Sequence, residues 1–427
     1  MTDNILKNEI LCTCGEYLDE VYGTRTKPFR DAALHVFDAI VTGSSTLVSD
    51  LSRTLRLDAS CAEAKRTQEL VSRWLEHYDF TSAANPHLLG GATEHASDAT
   101  TFAVDFSDVS KEFGGAGMEG MAMGWDGSRG VAAMGHDFVC VSLVGAAHPE
   151  AQPVYARIAQ GRKAKRELLK DALDAVSAAT GGLGWFAEDR GMDAAEHLRD
   201  LKALGRKAVV RVKDMKRDVF GNGRAVDETL ADEASHSVLL HVHNGDRRAE
   251  LRLRPGVVRF CAEPNRKDAP VEDVRVLVVE SRFGGKSVCL YAVCPDEMLA
   301  TPEGRLAVAA RAAQAYCDRW QIETSFRAVK QEFALEKVRV RTFRRLENVF
   351  TLCVLAYKFA TDRLRKSRGF KKVLKLLSDN VERVSMRTHA LLAGIRALVR
   401  EPKIRFISGR PRKRRVAECP FQTTFLL

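Results

Sequence analysis

The sequence predicts a mixed α/β core held between helical flanks. Three observations carry that expectation. Residues 100–105 are β-branched and apolar and end on a carboxylate. From there to residue 212, strand-like and helix-like stretches succeed one another. Helical periodicity dominates before residue 80 and returns after Pro302. A chain of 427 residues with 45% hydrophobic content has room for several domains and a sizeable core.

The N-terminal flank reads as helices because Phe29, Ala33, Val36, Phe37 and Ile40 recur at helical spacing. Gly43 interrupts them, and Ser44 and Ser45 suit the start of a new helix. A short helix over 46–55, a turn near Leu57-Asp58 and a third helix over 59–74 resemble a helix-turn-helix unit. Lys65, Arg66 and Arg73 are its candidate phosphate contacts, although a small bundle with a solvated charged face fits the same pattern. Residues 84–98, with Asn85-Pro86 and Gly90-Gly91, read as a linker.

In the core, 100–105 is the first strand. Glycines 114, 115 and 117 follow, then strands over 121–125 and 136–144, with Asp126-Gly127 as a turn signal between them. Residues 153–179 read as a helix closed by Gly181-Gly182, 183–187 as a short strand ending at Glu188-Asp189, 193–204 as a helix and 207–212 as a strand. Three strands, helix, strand, helix, strand is the order of a ribonuclease-H-type mixed sheet. In that arrangement the first and fourth strands are neighbours, so Asp105 and Asp189 would meet. Residues 236–294 alternate or run β-branched around Asn244-Gly245-Asp246 and Gly284-Gly285, as an inserted β-sheet subdomain would. Helix then resumes from Pro302 and continues over 346–365 and 370–400, and residues 402–415 are basic without an acid. The expected division is 1–83 as a helical DNA-binding domain, 99–213 with 296–345 as the α/β domain, 214–295 as the β-rich insertion, and 346–427 as a helical C-terminal region with a basic tail.

A formal net charge of +10 favours an anionic partner, though it fits a merely basic enzyme equally well. The ten cysteines are scattered and form no CxxC pair, which argues against a disulfide scaffold or a zinc site. No basic, apolar leader opens the sequence, and no apolar run reaches membrane-spanning length. The expectation is a cytoplasmic protein without a membrane partner.

The chemistry concentrates around 316–330. At about 100° per residue, Tyr316, Arg319, Glu323 and Lys330 fall in a stripe roughly 60° wide on one helix face. A face of solvated ion pairs is the plain alternative. The spacing Tyr, two residues, Arg, three, Glu, six, Lys resembles the YREK signature of the DDE transposases of the bacterial type-four insertion-sequence group. Upstream, Val104-Asp105-Phe106-Ser107-Asp108 with Lys111 resembles that group's first acidic motif. Ala187-Glu188-Asp189-Arg190-Gly191-Met192-Asp193 resembles its second, with Met192 where an aromatic is more usual.

The resemblance implies a metal-binding triad of Asp105, Asp189 and Glu323 working with two Mg2+ ions, Mn2+ being a ready substitute. It implies double-stranded DNA as partner, both transposon ends and target, and a homodimer in the synaptic complex. The reaction it implies is cleavage at transposon ends and strand transfer into target DNA. Two alternatives stay open: a DNA-binding derivative that no longer cleaves, and a nuclease of the ribonuclease-H superfamily that never joins strands. By the same resemblance Tyr316, Arg319 and Lys330 hold phosphates near the cut. Trp320 could stack on a displaced base, but a core position is its default. Lys337, Arg339 and Arg341, in a 337–345 segment that also holds Arg344 and Arg345 and no acid before Glu347, are expected to follow the DNA backbone. Asp108, Glu188 and Asp193 compete as ligands, and Asp193 also suits a helix N-cap.

Overall fold

The computed structural model describes residues 2–43, 45–55, 60–111, 117–126, 130–148, 150–161, 165–242, 245–261 and 271–363. The expected helix over 370–400, the basic tail, the turn at 57–58 and Gly114 and Gly115 lie outside them.

Ten strands occur among these residues: β1 (Thr101–Lys111), β2 (Ala122–Asp126), β3 (Val131–Val144), β4 (Gln152–Ile158), β5 (Trp185–Glu188), β6 (Ala208–Arg211), β7 (His236–Val242), β8 (Gly245–Cys261), β9 (Val271–Phe283) and β10 (Lys286–Val293). They form one sheet in the order β2-β3-β1-β5-β6-β10-β9-β8-β7, with β4 also paired to β3. β1 runs antiparallel to β3 and parallel to β5, and β5 runs parallel to β6. This is the mixed α/β sheet the element order predicts. The strands of 236–293 do not make a second sheet. β10 pairs with β6 from Leu290↔Arg211 to Val293↔Ala208, so they prolong the core sheet across its edge.

Helices cover both faces, and the strands sort their side chains by the period of two. Helices α1 (Thr2–Tyr22), α2 (Lys27–Gly43), α3 (Val48–Leu55), α4 (Cys61–His77) and α5 (Thr81–Glu94) precede the sheet. Within and after it come α6 (Lys165–Thr180), α7 (Ala195–Ala203), α8 (Val226–Leu230), α9 (Pro302–Arg319), α10 (Gln321–Arg327) and α11 (Phe343–Lys358). Phe186 and Val210 join the core beneath α6 and α7, where Leu169, Leu173, Leu198 and Leu201 meet them. Trp185, Ala187 and Val209 point the other way, against Ala309, Ala312, Ala313 and Ala315 of α9. Those alanines let α9 lie close on the sheet. A third core joins Phe37 and Ile40 of α2 with Phe350 and Leu355 of α11.

Two expectations fail. Residues 153–158 are strand β4, and the helix begins only at Lys165. Pro153 sits at the strand's start, where its missing N–H costs little, and Val154, Tyr155 and Ile158 are strand formers that find a partner in β3. Residues 84–98 are no linker, because α5 runs through Pro86. Ala84, Leu88 and Ala92, four apart, are buried on one side of it, so packing overrides the local breaking signals.

Candidate active site

Parallel pairing of β1 with β5 brings the first two acids together. Val104 is in register with Glu188, so Asp105 and Asp189 are the next residues on adjacent strands. Asp189 leaves the sheet at once, and a 3-10 turn over Arg190–Met192 follows it. The stripe beginning at Tyr316 faces the same place, but on a segmented helix. α9 stops at Arg319, α10 carries Glu323, and a π-helical turn over Ala328–Glu332 carries Lys330. Such wide turns recur at functional sites.

Arg319 is the centre of the arrangement. Its side chain is 5% exposed. Nη1 donates to Asp105 Oδ2 at 2.8 Å, and Nη2 donates to Glu323 Oε1 at 3.3 Å. Nη2 also lies 3.9 Å from Asp189 Oδ1. The Tyr316 ring packs 5.6 Å from the guanidinium carbon and is itself buried. Farther along the stripe, Lys330 Nζ lies 3.3 Å from Asp108 Oδ1 and 3.4 Å from Glu336. Asp105 and Asp108 of β1 thus each receive a cation from the stripe.

Charge and burial oppose one another here. Burial pushes the Asp105 carboxyl up to about 6 despite the Arg319 guanidinium, and Asp189 repels it further. Glu323 is raised for the same reasons, burial first, with Arg319 opposing and Asp189 adding. Burial works against the charge of Arg319, yet its carboxylates, Asp105 foremost, outweigh it and raise the guanidinium.

The competing acids have other partners. Glu188 is fully buried and meets His197 Nε2 at 2.6 Å. Burial opposes the charge of that imidazole, but Glu188 prevails and raises it. Asp193 does not cap α7, whose N-cap residue is Ala194. Its carboxylate accepts from Arg217 at 2.5 Å and from the Lys213 N–H at 2.7 Å, because the chain turns back to bring that loop over it. Asp108 accepts from Ser110 as well as Lys330. Asp189 Oδ1 is buried with no hydrogen-bond partner, as is the second oxygen of Glu188, Oε1.

A family model for the transposase DDE domain matches residues 96–359. The chain belongs to this family. No curated protein matches it. The DDE domain therefore spans the sheet, all three acids and the whole stripe. Members of the family bind DNA and generally use a divalent metal ion.

Among the described residues, no three His, Cys, Asp or Glu side chains stand close enough to enclose a metal ion as they are. The donor set nonetheless fits one. Its atoms are all carboxylate oxygens, which hard cations prefer, and the buried Asp189 Oδ1 accepts no hydrogen bond, with the Arg319 guanidinium 3.9 Å away. The Arg319 guanidinium lies among the carboxylates that such an ion would use.

Trp320 is 44% exposed, so the core position expected of it is wrong. It falls at the junction of α9 and α10. Lys337, Arg339 and Arg341 are exposed, while the intervening Val338 and Val340 are buried. Arg344 and Arg345 instead pair with Asp79 at 3.1 Å and Glu76 at 2.8 Å.

Sequence reasoning missed Gln314 and Gln321. Gln321 accepts from the Gly145 N–H at 3.1 Å and donates to its carbonyl at 3.3 Å. Gln314 treats His241 the same way, at 2.8 Å each. These amides fasten the helices of Arg319 and Glu323 to the ends of β3 and β7. Their seven-residue spacing puts both on one flank of a helix, which was the available signal.

Proposed function

We propose that this DDE-domain protein is a cut-and-paste transposase of the type-four insertion-sequence kind, with Asp105, Asp189 and Glu323 as its metal-binding triad. One observation carries the reading: carboxylates from β1, the end of β5 and α10 surround a single guanidinium on the helix that bears the YREK spacing. Two Mg2+ ions, when bound, would activate an oxygen nucleophile and stabilise the leaving oxygen of the phosphodiester. The protein's own groups do the rest. Asp105 lies on β1 and Asp189 directly follows β5, the parallel neighbour of β1, so the pairing of these strands brings the two together. Glu323 is brought to them by α10, which Gln321 ties to β3. Arg319 suits bidentate contact with a phosphate, and Lys330 acts as a point charge. The Tyr316 ring supports Arg319 from the side. The exposed indole of Trp320 suits stacking on a base displaced near the cut. Lys337, Arg339 and Arg341 form a short cationic row along the DNA backbone. The helical residues 1–83 are the DNA-binding unit in this reading, and two copies act together on two ends.

The test uses DNA carrying the ends of the element, a supercoiled target and Mg2+. The native chain should cleave and then join, and Asp105→Ala should be slower by at least about a thousandfold, the scale of losing a catalytic group. Equal behaviour of the two proteins would end the enzymatic reading. Nicked or linear products without a joined species would make the chain a plain nuclease.

A further inference from the structure

We propose that Arg319 is the resident counter-cation of the carboxylate site, competing with the metal ion for the same three side chains until a DNA phosphate draws the guanidinium away. The inference rests on the transposase reading and adds a rule for loading the site: metal and DNA are taken up cooperatively.

The geometry points this way because one planar group serves all three acids. Its Nη1 lies 2.8 Å from Asp105, and its Nη2 lies 3.3 Å from Glu323 and 3.9 Å from Asp189. The side chain is 5% exposed, so water screens these contacts little. A guanidinium and a divalent ion cannot both sit among these oxygens without strong repulsion. The Arg319 contacts are not ideal either. Asp189 stands beyond hydrogen-bonding range, and the Nε of Arg319 is buried without a partner. Arginine's fork matches a phosphate at least as well as it matches three separate carboxylates. Lys330 repeats the pattern, held between Asp108 and Glu336. Both basic members of the stripe are thus neutralised from within, and an incoming phosphate must compete for each. Release of Arg319 to phosphate would leave three carboxylates facing one another, the condition that favours divalent binding. By linkage, whatever DNA does for metal affinity, metal must do for DNA affinity.

The test is a Mn2+ titration of the full chain, read by the electron paramagnetic resonance of free Mn2+. If the guanidinium is displaced in only one molecule of ten, Arg319→Gln should bind Mn2+ about tenfold more tightly than the native chain. A short DNA duplex should tighten Mn2+ binding by the native chain, after the duplex's own binding is subtracted, and should add little for Arg319→Gln. Equal or weaker affinity in the variant, or no effect of duplex on the native chain, overturns the proposal. The duplex arm needs only native protein, so its failure overturns the proposal even if the variant does not fold. Glu323→Gln separates the two levels of argument. If it binds Mn2+ as the native chain does, the ions lie elsewhere and the triad reading itself fails. If it binds less and Arg319→Gln is unchanged, only the competition is wrong.

Discussion

Asp105 shows how far neighbouring charge and burial can be set against one another: a guanidinium 2.8 Å away does not keep its carboxyl in the ordinary range, and burial takes it to about 6. A second residue shows the same physics away from the site. Asp38 of α2 is pushed up to about 7 by burial, with the Cys14 thiol of α1 pulling the other way. A raised carboxyl favours the folded state while protonated. That contribution is complete below the unfolded value near 3.8 and is lost as pH rises through about 7. Asp38→Asn removes the titration. Relative to the variant, the native chain should therefore lose stability from pH 4 to pH 8, by no more than roughly 4 kcal/mol. Urea unfolding at several pH values checks this, and parallel curves for the two proteins would contradict it. Single residues were unevenly legible in the sequence. Arg319 and Glu323 could be read from helical spacing, which depends only on local geometry. The exposure of Trp320 and the partners of Asp193 could not, because each depends on where distant chain segments pass.

Among the elements, α11 is tied to the turn between α4 and α5 by one buried side chain. Asn348 on α11 is fully buried and answers three backbone groups at the turn between α4 and α5. It accepts from the Phe80 N–H at 2.9 Å and donates to the carbonyls of Leu75 at 2.8 Å and Tyr78 at 2.7 Å. Asn348→Ala leaves all three without a partner, and the expected loss is about 3 kcal/mol. In urea the midpoint should fall with the slope unchanged. A loss under about 1 kcal/mol would mean that water takes over the contacts. Elements were legible where periodicity was strong: β5 and α7 lie within a few residues of expectation and strands fill 236–293, whereas β1 starts where expected but runs past Asp105 to Lys111. They were not legible where turn signals misled. Pro86 and the paired glycines of α5 lie on a helix that its buried face sustains, and the strand character of β4 is realised only by pairing with β3. The stripe from Tyr316 to Lys330 was read as one helix. Its break at Trp320 and its π turn are features that a spacing argument does not contain.

For the whole molecule, the decisive feature is topological. A parallel neighbour for β1 brings Asp189 to Asp105, and the crossing of α9 over the opposite face of the sheet delivers Arg319 and Glu323 to the same spot. The adjacency of β1 and β5 could be anticipated from the alternation of elements. The continuity of β10 with β6 could not, since strand periodicity says nothing about which edges join. In the proposed function, three acids from separate segments grip the same cations. The most direct measurement is an anomalous difference map from crystals grown with Mn2+ and a DNA duplex. The expected result is density within coordination distance of the carboxylates of Asp105, Asp189 and Glu323, with Arg319 turned onto a phosphate. Manganese bound elsewhere, with Arg319 still joined to all three acids, would contradict it.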